Sequence, residues 1–183
     1  MKKLQKISML KSVLILSMAF ISMSSSAQSN KKDRRLVEDS RDAIKDFIHT
    51  DSLMKNLFSG AYGYAVFPKV GKGAFIVGGA GGDGAIFQGD TAIGKAKMSQ
   101  LTVGVQAGGQ AYREVIFFQD KETLDRFKEN KIEFSAQVSA VAAKEGGSAN
   151  AKYANGLMIF TQQIEGLMFE ASVGGQKFAF TAF

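Results

Sequence analysis

From position 36 the chain places apolar residues three and four apart. Leu36, Val37, Ser40, Ala43, Ile44, Phe47 and Ile48 share one side, while Glu38, Asp39, Arg41, Asp42, Lys45 and Asp46 take the other. This spacing predicts an amphipathic helix over Leu36–Ile48. Asp51 suits the N-cap of a second, shorter helix with Leu53, Met54, Leu57 and Phe58 inward, stopped by Gly60. Gln28–Arg35 is polar and basic and reads as a mobile start.

After Gly60 the period shortens to two and glycine becomes frequent. Strands are predicted at Tyr62–Phe67, Ala74–Gly79, Gly84–Gln88, Thr91–Met98, Leu101–Gln110 and Ala111–Phe118. Lys121–Glu129 reads as one short helix with Leu124 and Phe127 inward. Further strands follow at Lys131–Ala143, Gly156–Gln163, Gly166–Gly174 and Lys177–Phe183. Short strands at close spacing, without a strand–helix–strand rhythm, predict an α+β fold that is mainly antiparallel β. The sheet should be sandwich- or barrel-like, with an N-terminal helical segment and one short inserted helix.

Ahead of these elements Lys2, Lys3, Lys6 and Lys11 precede an apolar run, Val13–Ile21, and then Ser22–Ser26 and Ala27. Ser25 and Ala27 are the small residues of a signal-peptide cleavage site, and the apolar run is too short to span a bilayer. Residues 1–27 therefore read as a signal peptide, residues 28–35 as a flexible N-terminus, and 36–183 as a single domain. The expected location is exported, periplasmic or envelope-associated. Four of the 23 basic residues and none of the 17 acidic ones lie in 1–27, so removal lowers the net charge from +6 to +2. The basic balance belongs largely to the export segment, and a nucleic-acid partner loses its support.

Composition narrows the chemistry. The chain has no Cys, which excludes thiol catalysis, disulfides and Cys-based metal centres. Its one His, His49, ends the first predicted helix, where a donor complements exposed carbonyls. No nucleophile or metal ligand is usefully spaced around it. Glu133, Glu165 and Glu170 could pair as acid and base, but solvated strand faces normally carry such residues. No catalytic residues, no metal site and no cofactor are assigned.

Gly79-Ala80-Gly81-Gly82-Asp83-Gly84 satisfies the G-x-G-x-x-G pattern, yet a predicted strand follows where a dinucleotide site needs a helix N-terminus. A hairpin turn around Gly82-Asp83-Gly84, with close backbone approach, accounts for the glycines. Lys69 and Lys72 flank Val70-Gly71 just after Phe67-Pro68, and Lys95 and Lys97 share one face of a strand by alternation. These lysines suit anionic lipid headgroups, with Phe67 or Val70 inserting shallowly. They equally suit an ordinary solvated face with edge lysines that discourage sheet pairing.

The glycine motifs recur in a recognisable order. Ala61-Tyr62-Gly63-Tyr64-Ala65-Val66-Phe67-Pro68-Lys69-Val70 resembles the A-x-G-x-A-x-F-P-x-V opening of the SYLF lipid-binding family. Lys72–Gly79 is similar to its next block, Gly104-Val105-Gln106-Ala107-Gly108-Gly109-Gln110 to its G-x-Q-x-G-x-Q strand, and Phe134–Lys144 to a block ending in S-V-A-A. Glu165–Val173 resembles K-G-L-F-x-G-x-S-L, with Ala171 where the family's glycine stands. The likeness runs from about Leu53 to Gly175. It implies phospholipid or phosphoinositide binding, as in eukaryotic members; for this chain the leading reading is a non-enzymatic exported protein that meets anionic phospholipid or a membrane surface, not actin. A small outer-membrane β-barrel and an envelope scaffold that binds a protein partner remain alternatives. The positions in phase with Phe183 (Thr181, Ala179 and Lys177) are poor lipid-facing residues for a barrel strand.

Overall fold

In a computed structural model, residues 30–72, 79–101, 110–132, 140–165 and 175–183 are described. The chain divides into two units, Met1–Arg35 and Leu36–Phe183. The signal-peptide reading of 1–27 lies outside the described residues. Helix α1 covers 30–50 and so begins before Leu36, where the spacing places its start. Helix α2 is Met54–Gly60 and helix α3 is Lys121–Lys128. The strands are β1 Gly63–Lys72, β2 Gly79–Gln88, β3 Thr91–Leu101, β4 Gln110–Phe118, β5 Val141–Ala142, β6 Leu157–Glu165 and β7 Gln176–Ala182. The expected strands at Ala74–Gly79, Leu101–Gln110, Lys131–Ala143 and Gly166–Gly174 fall largely or wholly outside the described residues.

The seven strands form one sheet in the order β5-β6-β4-β1-β2-β3-β7. Among the described residues every pairing is antiparallel except β5 with β6. The fold is α+β and mainly antiparallel, and the sheet is open. It is nevertheless strongly curled. β4 and β7 are separated by three strands, which at about 4.8 Å per strand would hold them far apart in a flat sheet. Yet Gln176 Nε2 of β7 donates to Glu114 Oε2 of β4 at 2.9 Å, and Phe67 of β1 lies 5.8 Å from Phe178 of β7, ring centre to ring centre.

Period-two alternation sends side chains to both faces, and each face has its own core. On the outer side of the curl Tyr64, Val66, Phe87, Val115, Phe117 and Phe160 pack with Ala43 and Phe47 of α1 and Met54 of α2. On the inner side Ala65, Phe67, Ile86, Ile116, Phe118 and Phe178 pack with Leu124 and Phe127 of α3. Each fully buried aromatic contributes about 1.5–3 kcal/mol relative to exposure. The apolar stripe seated α1 as the spacing predicts, and three polar contacts fix its position. Ser40 Oγ donates to Val66 O at 3.3 Å, Arg113 pairs with Asp46 at 2.7 Å, and Gln162 Nε2 donates to Thr50 Oγ1 at 2.6 Å.

One local expectation is corrected. Gly82–Gly84 are not a turn but the middle of β2, and the hairpin turns at Gly89–Asp90, where Gly89 has φ +56°. The glycines do serve close approach, because a Cβ on Gly82 would stand 2.6 Å from Lys69 O and one on Gly84 would stand 2.6 Å from the Phe67 ring. Asp51 stands two residues before Leu53, the residue at the N-cap of α2, and its carboxylate accepts the Leu53 N–H at the entry to that helix at 3.1 Å as well as the Ser148 N–H at 2.8 Å.

Candidate functional site

Alternation along β3 decides where its lysines go. Ala96, Met98 and Gln100 are buried, while Lys97 and Ser99 are exposed and Lys95 is half-buried. Lys95 and Lys97 therefore share the outward face, as their spacing implies. β7 extends that face. Ser99 pairs with Lys177, Lys97 with Ala179 and Lys95 with Thr181, and all three β7 residues are exposed. Directly across β2, Asp83 opposes Lys97 and offsets one of the charges. Among the described residues this face carries three lysines and one aspartate. Lys177 is the member that sequence reasoning missed, since nothing local announces that β7 pairs with β3.

The other expected site residues lie elsewhere. Lys69 is exposed on β1, two strands from β3, and Lys72 ends β1 in register with Ala80 and Gln110. Phe67 and Val70 are fully buried, which corrects the expectation that either inserts into a membrane. The register slips between Phe67 and Val70, so two residues three apart, which strict alternation would put on opposite faces, both enter the inner core. Among the described residues the exposed large apolar side chains are Leu53 and Phe183, at 43% and 52% exposure. Phe183 lies two residues beyond Thr181, and its N–H reaches Ile93 O at 3.4 Å.

Beneath this patch, on the inner face of β3, β7 and β4, lies a buried polar cluster. Tyr112 OH donates to Gln100 Oε1 at 3.4 Å, and Gln176 Nε2 reaches both Tyr112 OH, at 3.5 Å, and Glu114. Burial pushes the Tyr112 phenol far up, and the adjacent Glu114 pushes the same way while Gln176 opposes. Gln176 inward and Lys177 outward are consecutive positions of β7, so the cluster that holds the curl also fixes the register of the cationic face.

A separate cleft of about 450 Å³ lies between α1, α2 and the β1–β2 strands. Its floor is Tyr64 stacked on Phe87 with ring centres 5.3 Å apart. Burial raises the Tyr64 phenol, Asp90 adds to the rise and Arg41 opposes it.

Residues 99–181 match a family model described as Ysc84, a Las17-binding protein actin regulator. That stretch runs from the end of β3 into β7, and the blocks at 61–79 precede it. The chain is also 32% identical over 124 residues to beta cell expansion factor A of Aeromonas veronii, a match covering 68% of this chain and 48% of that protein. The chain thus spans about half the length of this curated relative. No described helix is long and apolar enough to cross a membrane. On the family model and this relative, the protein carries a domain of the Ysc84 (SYLF) family.

Proposed function

We propose that this protein is a non-enzymatic, exported lipid-binding protein that attaches to anionic phospholipid at the cell envelope through the outward face of β3 and β7. Family membership supports a binding or regulatory role in general. The observation that carries the finer reading is the shared outward face of half-buried Lys95 and exposed Lys97 and Lys177, with exposed Phe183 beyond it. Each lysine near an anionic surface contributes at most about 1 kcal/mol, so attachment through this face is weak and salt-sensitive. Phe183 would add apolar contact in place of the buried Phe67 and Val70. The periplasmic or envelope location rests on the basic, apolar and small-residue order of 1–27.

The test is co-sedimentation of the protein with vesicles of phosphatidylcholine alone and with rising fractions of phosphatidylglycerol. Binding that grows with the anionic fraction supports the proposal. Absence of binding to every vesicle would contradict it and favour a scaffold that binds a protein partner.

A further inference from the structure

The two N-terminal helices of the Leu36–Phe183 unit leave an apolar trough between them. On α1, Arg41, Ile44, Lys45 and Ile48 fall at i, i+3, i+4 and i+7, so they form one stripe. On α2, Lys55, Phe58 and Ser59 fall at i, i+3 and i+4. Both stripes line the same cleft, and each sets an apolar side chain beside a cation. The volume of about 450 Å³ falls within the range of small-molecule sites, about 300–1,000 Å³. Its aromatic floor is held firmly, since Phe58 also meets Tyr64 edge-on with ring centres 5.1 Å apart.

The charges around the trough are lopsided. Among the described residues three cations line it against a single acid, Asp90. Lys45 is engaged by Asp42 at 2.8 Å, which leaves Arg41 and Lys55 as the cations that matter. Arg41 donates to the backbone carbonyl of Asp90 at 3.3 Å, a contact that positions the guanidinium without cancelling its charge. A ligand complementary to this arrangement has one apolar chain and one anionic head. Two-chain phospholipids would need more apolar wall than Ile44, Ile48, Phe58 and Tyr64 provide.

We propose that this cleft binds a single-chain anionic amphiphile of the long-chain fatty-acid class, its acyl chain against Ile44, Ile48 and Phe58 and its carboxylate held by Arg41 and Lys55. The site is distinct in its residues from the β3–β7 face, and it stands or falls independently of vesicle docking.

The full chain is titrated with carboxyl-labelled oleate below its aggregation concentration, followed by carbon NMR and calorimetry. Saturable binding of one oleate per chain is expected, with oleyl alcohol at least about tenfold weaker because it lacks the charge. Arg41→Gln with Lys55→Gln should weaken oleate by about tenfold or more while leaving the melting temperature in place, since both side chains are exposed. Lys97→Glu with Lys177→Glu should leave oleate affinity unchanged, which separates this site from the vesicle-docking face. Oleate preloaded in phosphatidylcholine vesicles should move into the protein fraction, which distinguishes a free fatty acid from membrane-held lipid as the source. Non-saturable uptake, equal affinity for the acid and the alcohol, or full affinity in the Arg41/Lys55 variant would overturn the proposal.

Discussion

Gln176 and Glu114 meet at 2.9 Å although three strands separate β7 from β4 in the sheet. Both are fully buried, and Tyr112 joins them. The contact converts an open sheet into a curled one and locks β7 at the edge that carries Lys177. Gln176→Leu should therefore destabilise the fold by about 1–3 kcal/mol, the cost of removing one partner from a buried polar pair. Chemical denaturation reads this directly. A variant as stable as the parent would show that the curl is held by aromatic packing alone.

Asp51 makes a second long-range link, to a residue 97 positions away in sequence. Burial works against its charge, but the N–H groups of Ser148, Leu53 and Gly146 together hold the carboxyl below its ordinary value. The sign follows from that direction. The stabilisation is complete above the unfolded carboxylate value, near pH 4, and fades as pH falls through the lower folded value. Asp51→Ala should cost about 1–3 kcal/mol at neutral pH by leaving the Ser148 N–H unpaired. The gap between parent and variant should narrow below pH 4, and a gap that stays constant down to pH 2 would refute the assignment.

Gly84 tests close approach against open space. A Cβ there would meet the Phe67 ring at 2.6 Å and Val66 O at 2.7 Å, whereas one on Gly71 would meet nothing within 4 Å. Gly84→Ala should lose about 1–3 kcal/mol through overpacking, and Gly71→Ala far less. Thermal melts of the two variants side by side should differ by several degrees. Equal melting temperatures would mean that β1 relaxes freely around the added methyl.

Phe67 and Phe183 separate core from surface. Phe67→Ala should cost about 3–5 kcal/mol, as for other buried aromatics. Phe183→Ser should change stability by less than about 0.5 kcal/mol and yet weaken vesicle attachment. Stability by denaturant titration and binding by co-sedimentation check the two halves. Undiminished vesicle binding by Phe183→Ser would remove that side chain from the docking face.

The helices and the two-faced sheet were legible because their signals are local. Leu36, Ala43 and Phe47 mark a helix stripe by spacing alone, and Lys95 and Lys97 reveal their shared face by alternation. Gly82–Gly84 misled because a sequence does not distinguish glycines that turn the chain from glycines that make room for Phe67. Phe67 and Val70 misled because the slip between them reverses the parity on which alternation depends. Lys177 and the Gln176–Glu114 contact were out of reach, since both follow from the pairing of distant strands. The cleft stripe of Arg41, Ile44 and Ile48 was visible as part of an amphipathic helix, but its partner stripe on α2 was not, because the packing of the two helices is a tertiary fact.

The most direct measurement compares the parent protein with a Lys97→Glu/Lys177→Glu variant on phosphatidylglycerol vesicles at 0.1 M and 1 M salt. The Debye length falls from about 10 Å to about 3 Å across that range, so attachment driven by an exposed cationic face must weaken. Clear binding of the parent at low salt, strong loss at high salt, and little binding of the variant at either are expected, with both proteins equally folded. Equal binding of parent and variant at both salt levels would contradict attachment through this face.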